Sequence, residues 1–311
     1  MAESRIETSE QIESIWQLGG LTRRELGRRV WNVMFDGNLT GNASELAYNF
    51  IFSIFPLLLF LLSLFGLFAS RGRQLQNHLM FYLGAVLPPD AFHLLQQTIA
   101  EVTKNSSGGK LTFGILLTLW AASGGMTSMI SSLNAVYRVK EGRPWWKVRL
   151  LSVALTFSIA TLVFSALALV LVGDFAAAWA GVSMHLGSVA IIGGKVLVWL
   201  VAMALVVGSF SLVYYFAPDL KEQHWYWITP GSIVGVLLWL LASFAFRAYL
   251  HFFNSYSKTY GSLGAVIILL LWFYVAGMTF LLGGEINAEI EHAAADRGHP
   301  EAKAEGEKKA A

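Results

Sequence analysis

The sequence predicts an all-α polytopic membrane protein, with six transmembrane helices and an outer helical hairpin between helices 1 and 2. Three observations predict this class. Hydrophobic residues make up 55% of the 311 residues, and charged residues make up only 14%, where a soluble domain carries about 25%. Six apolar runs are also long enough to cross a hydrocarbon core of about 30 Å. Lipid offers the backbone no hydrogen-bond partner, so these runs must be helical.

The composition argues against several classes of function. Cysteine is absent, which excludes disulfides, thiolate zinc sites and cysteine nucleophiles. A net charge of +2 is too small for a nucleic-acid binder identified by its charge. The seven histidines show no metal-ligand spacing, and the chain has no phosphate-binding loop or nucleophile elbow. We therefore expect no enzyme, no catalytic or metal-binding residues, no cofactor and no nucleic-acid partner.

Residues 1–45 are predicted to form a cytoplasmic segment with an amphipathic juxtamembrane helix. Apolar residues recur at helical spacing opposite a basic face, which holds Arg23, Arg24, Arg28 and Arg29. The apolar positions are Leu21, Leu26, Val30, Val33 and Met34. This pattern suits a helix lying on the anionic inner leaflet, or a basic flank that happens to be helical.

Residues 46–288 are predicted to form the six-helix transmembrane domain. The spans are placed at 46–69, 111–136, 150–172, 189–216, 228–250 and 262–284. With the N-terminus inside, the inner segments hold 15 Lys and Arg residues and the outer segments hold five. The positive-inside rule then predicts a multi-pass membrane protein with both termini in the cytoplasm.

Two further segments lie outside the spans. The outer loop 72–110 has two apolar stripes separated by Pro88 and Pro89, which predicts the helical hairpin. The C-terminal residues 289–311 are rich in Ala, Glu and Lys, which predicts a disordered cytoplasmic tail.

Polar side chains inside the predicted spans are the candidate transport path. Glu45, Asn49 and Ser53 share one face of span 1, and Pro56 follows as a predicted kink. A polar face of span 2 runs down to its cytoplasmic end, span 5 carries a polar stripe nearer the outside, and span 6 ends in polar residues. Their candidates are Asn134 in span 2, Arg247 and His251 in span 5, and Glu285 and Asn287 in span 6.

Each feature has a plainer interpretation. A carboxylate near the membrane interface, such as Glu45 or Glu285, can remain solvated, and an arginine near a helix end can snorkel outward. Small and hydroxyl residues on a membrane helix commonly serve helix packing. However, the stripes of spans 1 and 2 open inward and the stripe of span 5 opens outward, an arrangement that alternating access or lipid translocation would need.

The sequence resembles the YihY/virulence factor BrkB family of bacterial inner-membrane proteins, formerly labelled ribonuclease BN-like. The resemblance covers roughly residues 23–291 and rests on the order and spacing of several short motifs. These occupy residues 43–48, 53–56, 119–123, 133–134, 215–218, 260–264, 272–274 and 283–288. Gly284 stands where the family pattern has Ala. The resemblance implies six transmembrane helices, cytoplasmic termini and a link to lipid export across the envelope.

Together these observations favour a transporter or translocator of lipid or another amphipathic envelope substrate. The alternative is a non-transporting membrane scaffold that docks a partner through the outer hairpin or the cytoplasmic ends. Ribonuclease activity is not expected. The expected partners are membrane lipids, together with a second copy of the chain or another envelope protein.

Overall fold

The computed structural model describes residues 16–36, 39–67, 96, 108–183, 188–220, 228–252 and 262–297. Within these ranges the chain forms helices joined by short turns, and no strand occurs in them. The all-α prediction is therefore confirmed for this part of the chain. The predicted outer hairpin falls outside the described residues, except for Gln96 and the first turn of the following helix.

In the described part of the chain, seven α-helices follow a short 3-10 turn at Leu18–Gly20. They are α1 (Arg23–Asp36), α2 (Leu39–Leu67), α3 (Gly108–Val136), α4 (Trp145–Ser183), α5 (Ser188–Phe216), α6 (Pro230–Phe252) and α7 (Ser262–Asp296). Each of α2 to α7 contains most or all of one predicted span. Four helices of the described part have the length and apolar composition to cross a bilayer: α4 over Trp145–Val170, α5 over Ile192–Phe216, α6, and α7 over Val266–Asp296.

Several helices extend beyond the predicted spans. Helix α2 begins seven residues before residue 46, and α4 begins at Trp145 rather than at residue 150. Helix α7 continues to Asp296, so the first residues of the predicted tail 289–311 are helical; residues 298–311 lie outside the described ranges. Hydropathy marks where a helix enters lipid, whereas the backbone hydrogen bonds continue into its polar ends.

The helices pack as a bundle in which α7 is central. Helix α7 contacts α6, α2, α1 and α3, while α2 packs on α3, and α4 packs on α5 and α3. The buried core joins α2, α3, α5 and α7 through Leu46, Ile130, Leu133, Val213 and Leu281. Helices α3 and α5 finish at one end of the bundle, and α4 and α6 start there. We call this the lower end.

Helix α1 packs its apolar face against the end of α7. Leu21 and Leu26 are buried with Ile290 and Ala293, and Val30 packs beside them. The segment is helical over Arg23–Asp36, and the end of α7, which extends past its predicted span, covers its apolar side. The arginines of the opposite face, Arg23, Arg24, Arg28 and Arg29, are exposed.

A capping box fixes the start of α1. The Thr22 backbone N–H donates to Glu25 Oε2 at 2.9 Å, and the Glu25 N–H donates to Thr22 Oγ1 at 3.3 Å. The Thr22 hydroxyl also donates to Glu25 Oε2 at 2.7 Å. These hydrogen bonds to the charged carboxylate lower the pKa of Glu25.

Candidate functional site

A polar seam runs between α2 and α3 toward the lower end. Asn49 Nδ2 donates to Ser128 Oγ on α3 at 3.1 Å, and to the Glu45 carbonyl of its own helix at 3.0 Å. A Cβ built on Gly125 would lie 3.2 Å from Ser53 Oγ, so a glycine here allows the two helices to approach closely. The polar face predicted for span 1 therefore lies against α3, which it contacts at Gly125 and Ser128.

The seam continues from α3 to α4. Thr127 Oγ1 donates to the Ser123 carbonyl at 3.1 Å and lies 3.0 Å from Ser152 Oγ. Arg149 Nη1 donates to the same Thr127 hydroxyl at 3.3 Å. Polar contacts thus connect α2, α3 and α4 through adjacent faces of α3.

Glu45 and Pro56 lie on either side of the Asn49 contact. The Glu45 side chain is exposed, one turn from Asn49 toward the lower end. Pro56 lies within α2, which continues unbroken to Leu67, and it is partly buried. The prediction that Pro56 kinks the helix stays a prediction.

Glu285 belongs to a buried cluster of charges at the lower end. It is 1% exposed and lies beside Glu289, which is 5% exposed and one turn further along α7. Arg138 Nη2 lies 3.8 Å from Glu285 Oε1 and 3.4 Å from Glu289 Oε1. Arg29 of α1 contacts the other oxygen of Glu289 at 3.4 Å. Two arginines therefore neutralise two carboxylates that burial would otherwise destabilise.

Tyr137 borders this cluster. Its burial raises the pKa of the phenol, and the nearby carboxylates of Glu291 and Glu285 raise it further. The phenol therefore stays neutral at physiological pH. The adjacent Arg138 has a φ of 54°, a left-handed conformation that ends α3 without a glycine.

Asn287 lies on another face of α7 and holds the start of α6. Its Oδ1 accepts the Gly231 N–H at 2.9 Å, and its Nδ2 donates to Thr229 Oγ1 at 3.0 Å. The first N–H groups of a helix have no partner inside it, so this side chain satisfies one of them from outside. Asn287 and Glu285 are thus engaged in different contacts.

Asn134 joins a second polar cluster at the lower end, which we call the loop latch: Asn134, Glu141, Arg143 and Asp219. Asn134 Nδ2 donates to Glu141 Oε2 at 2.9 Å, and its Oδ1 accepts the Asp219 N–H at 2.7 Å. Arg143 Nη2 donates to Glu141 Oε2 and to the Ala217 carbonyl, both at 2.7 Å. The latch fastens the α3–α4 turn to the residues that follow α5.

Electrostatics inside the loop latch favour the ionised carboxylate of Glu141. Partial burial acts to raise its pKa, but hydrogen bonds from Arg143 and Asn134 outweigh that effect and the pKa is lowered. Asp219 adds a second carboxylate, with its Oδ1 3.7 Å from Arg143 Nε. The guanidinium of Arg143 therefore faces two negative charges.

Arg247 and His251 lie on exposed positions near the C-terminal end of α6. Ser243, one turn before Arg247, donates its hydroxyl to the Trp239 carbonyl in the same helix. Helix α6 packs on α7 and α5, away from the seam between α2 and α3. The candidate residues thus fall into five places: the seam, the charge cluster, the Asn287 contact at the start of α6, the loop latch and the C-terminal end of α6.

The sequence interpretation missed several of these partners. The sequence interpretation places Arg29 on the basic face of the amphipathic helix and Glu289 in the disordered tail. It singles out none of the other partners, which are Arg138, Glu141, Arg143 and Asp219. One signal was available for Glu289, which follows Glu285 by four residues and so shares its helix face. Within the described residues, no group of three or more acidic or histidine side chains could hold a metal ion.

Comparison with known proteins identifies the family. Residues 30–307 match the family model described as Virulence factor BrkB. The chain is 34% identical over 250 residues to a Bacillus subtilis protein named ribonuclease-like protein YfkH, which covers 79% of this chain and 88% of that protein. It is 31% identical over 275 residues to a UPF0761 membrane protein of Vibrio atlanticus, over 86% of this chain and 82% of that protein. No solved structure matches the chain. The chain belongs to the Virulence factor BrkB family of membrane proteins.

Proposed function

We propose that this protein translocates a lipid, or another amphipathic envelope substrate, across the bacterial inner membrane. In this proposal α2 to α7 are the six transmembrane helices, and the lower end of the bundle faces the cytoplasm. The balance of Lys and Arg supports that orientation, because the inner segments hold 15 and the outer segments five.

The observation that carries the proposal is the polar seam between α2 and α3. Asn49 of α2 and Ser128 of α3 contact each other between these two long apolar helices, and Thr127 extends the polar contacts to α4. Polar groups are costly inside a membrane and commonly mark substrate or ion paths. A lipid headgroup that followed the seam would exchange hydrogen bonds with these side chains while its acyl chains stayed in the bilayer.

The proposal assigns roles to the charged candidates. Glu45 is exposed beside the lower part of the seam, where it can meet a headgroup or a proton. Glu285 of α7, whose carboxylate faces Arg138, is the second candidate proton carrier if transport is coupled to protons. Arg247, exposed near the other end of the bundle, would contact an anionic headgroup there.

Proteoliposomes test the proposal. Purified protein is reconstituted with a fluorescent phospholipid, and exchange between leaflets is followed by adding a quencher outside. We expect the wild type to exchange lipid, Glu45→Gln to abolish exchange, and Arg247→Ala to reduce it. Ser44→Ala is the matched control, because its exposed hydroxyl donates to the Thr40 carbonyl of its own helix.

Each other outcome has a definite meaning. Normal exchange in Glu45→Gln would remove Glu45 from the scheme. No exchange above that of empty liposomes would contradict phospholipid translocation and favour the scaffold, whose test is capture of a partner by residues 72–110. We also propose that the chain is not a ribonuclease, since its sequence has no catalytic signature. RNA cleavage by the purified protein would contradict that.

A further inference from the structure

The first turns of α4 lie beside the middle of α3 and place an arginine against a tryptophan. Arg149 Nη2 donates to the Trp120 carbonyl at 2.5 Å, and its guanidinium carbon lies 4.4 Å from the centroid of the Trp120 ring. Arg149 Nη1 donates to Thr127 Oγ1 at 3.3 Å. Three neutral groups thus fix the position of a cation at the start of an apolar helix.

The charge of Arg149 is not balanced by these contacts. No ion pair to Arg149 occurs among the described residues. A guanidinium has five N–H donors, so the two hydrogen bonds leave three available. A cation this close to hydrocarbon is costly without a counter-charge. The side chain therefore presents a fixed, partly exposed fork of donors that suits an anion.

The surroundings of Arg149 are apolar and aromatic. Trp145, one turn earlier on the same face of α4, is 73% exposed, and its ring lies 6.4 Å from that of Trp120. On α3, Leu116 and Leu117 share a face with Trp120 and are more than half exposed. Exposed tryptophans are enriched at the level of lipid headgroups, and exposed leucines further from the lower end of the bundle contact acyl chains.

We propose that Arg149, Trp145 and Trp120 form a binding site for the headgroup of an anionic phospholipid. The phosphate accepts hydrogen bonds from the remaining N–H groups of Arg149, and the acyl chains lie along Leu116 and Leu117. A free phosphate would not use the apolar part of this surface, which is why the site is assigned to a lipid. The proposal goes beyond the proposed function, because a protein can hold a lipid at this surface without moving it.

Native mass spectrometry of the purified protein in detergent tests the site. Phosphatidylglycerol and phosphatidylcholine with the same acyl chains are added in competition. We expect the wild type to retain phosphatidylglycerol in preference, and Arg149→Gln to lower that retention about tenfold, the loss of one charge-assisted contact. Arg149→Lys keeps the charge but not the planar guanidinium, so its retention of phosphatidylglycerol should lie between that of the wild type and that of Arg149→Gln.

Lys147→Gln is the matched control. It removes the same charge two residues away, from an exposed lysine whose Nζ lies 5.5 Å from the Trp146 ring on another face of α4. We expect this variant to retain phosphatidylglycerol as the wild type does. Equal losses in Lys147→Gln and Arg149→Gln would overturn the proposal in favour of general charge attraction.

The wild type alone provides a second test, which does not depend on whether a variant folds. Equal retention of the two lipids by the wild type would overturn the proposal, as would displacement of phosphatidylglycerol by millimolar inorganic phosphate. Lipid binding is measured by native mass spectrometry and lipid translocation by the proteoliposome assay, so the two results are independent. Selective binding lost in Arg149→Gln would support the site even if proteoliposomes showed no lipid exchange.

Discussion

Asn287 Oδ1 accepts a hydrogen bond of 2.9 Å from the backbone N–H of Gly231, across the contact between α7 and the first turn of α6. The same side chain donates to Thr229 Oγ1 at 3.0 Å, just before α6 begins. One residue therefore satisfies a helix N–H group and orients the turn that precedes the helix. This contact fixes how α6 starts against α7.

Replacing Asn287 should destabilise the protein. Asn287→Ala leaves the Gly231 N–H and the Thr229 hydroxyl without this partner, and we expect a loss of about 1–3 kcal/mol. Asn287→Asp keeps the acceptor for Gly231 and should lose less. The thermal midpoint of the detergent-solubilised protein is the measurement, with Ser44→Ala as control. A midpoint like that of the wild type in Asn287→Ala would show that the contact contributes little.

Gly283 should tolerate no side chain. A Cβ at this position would clash with Tyr214 Oη and lie 2.6 Å from the Gly231 carbonyl oxygen. The tyrosine hydroxyl cannot move freely, because it donates to the Phe280 carbonyl at 2.6 Å. We expect Gly283→Ala to lower stability by about 1–3 kcal/mol through overpacking.

Gly193 provides the control for this prediction. It is a helical glycine in α5, and a Cβ there would meet no heavy atom of the described residues within 4 Å. Alanine favours the helix over glycine, so Gly193→Ala should leave the thermal midpoint unchanged or raise it slightly. Equal destabilisation by the two substitutions would contradict the role assigned to the close helix contact at Gly283.

The loop latch should loosen in acid. Glu141 has a folded pKa below its ordinary value of 4.5, so its contribution to stability is complete above that value and is lost as the pH falls through the folded pKa. Hydrogen exchange of residues 139–144 should therefore rise as the pH is lowered from about 6 to about 3, after correction for the intrinsic exchange rate.

Glu141→Gln tests whether this carboxylate is the cause. The amide cannot titrate, and its oxygen can accept a hydrogen bond from Arg143 but cannot form an ion pair with it. The loop latch of this variant should therefore be looser at pH 6 and should change little on acidification. Asp219, which faces the same arginine, is unchanged in this variant, so any change in exchange that persists on acidification can be attributed to groups such as Asp219. If hydrogen exchange rose on acidification by the same amount in Glu141→Gln, the titrating group would be one other than Glu141.

The sequence predicted where the helices lie better than where they end. Each predicted span falls largely within one helix, because apolar length is a property of the local sequence. The extension of α7 to Asp296 could not be foreseen, since its last turns are polar in sequence and are buried by α1. That burial is a contact between the two ends of the chain.

The sequence predicts which polar residues share a face of a helix, but it does not predict which neighbouring helix that face contacts. Helical spacing placed Asn49 and Ser53 on one face, and that face does meet α3. It also placed Asn134 on a polar face of span 2, but α3 has neighbours on several sides, and Asn134 enters the loop latch while Thr127 contacts Ser152. Spacing defines a face of a helix, whereas the partner of that face depends on tertiary packing.

The two arginines that contact Glu289 should differ in importance. Arg29 is 43% exposed and meets one oxygen of Glu289, so its ion pair resembles a surface pair worth at most about 1 kcal/mol. The Arg138 side chain is 31% exposed and meets the buried carboxylates of both Glu285 and Glu289. Removing Arg138 takes the counter-charge away from the buried carboxylate of Glu285 and leaves Glu289 with Arg29, at a cost of about 3–5 kcal/mol.

Arg29→Gln and Arg138→Gln, compared by thermal midpoint, test this difference. We expect Arg138→Gln to lower the midpoint much more than Arg29→Gln. Arg138→Gly should recover about 1 kcal/mol relative to Arg138→Gln, because glycine accepts the φ of 54° at this position without strain. Equal midpoints for Arg29→Gln and Arg138→Gln would contradict the charge-cluster account, and a lower midpoint for Arg138→Gly than for Arg138→Gln would contradict the account of backbone strain.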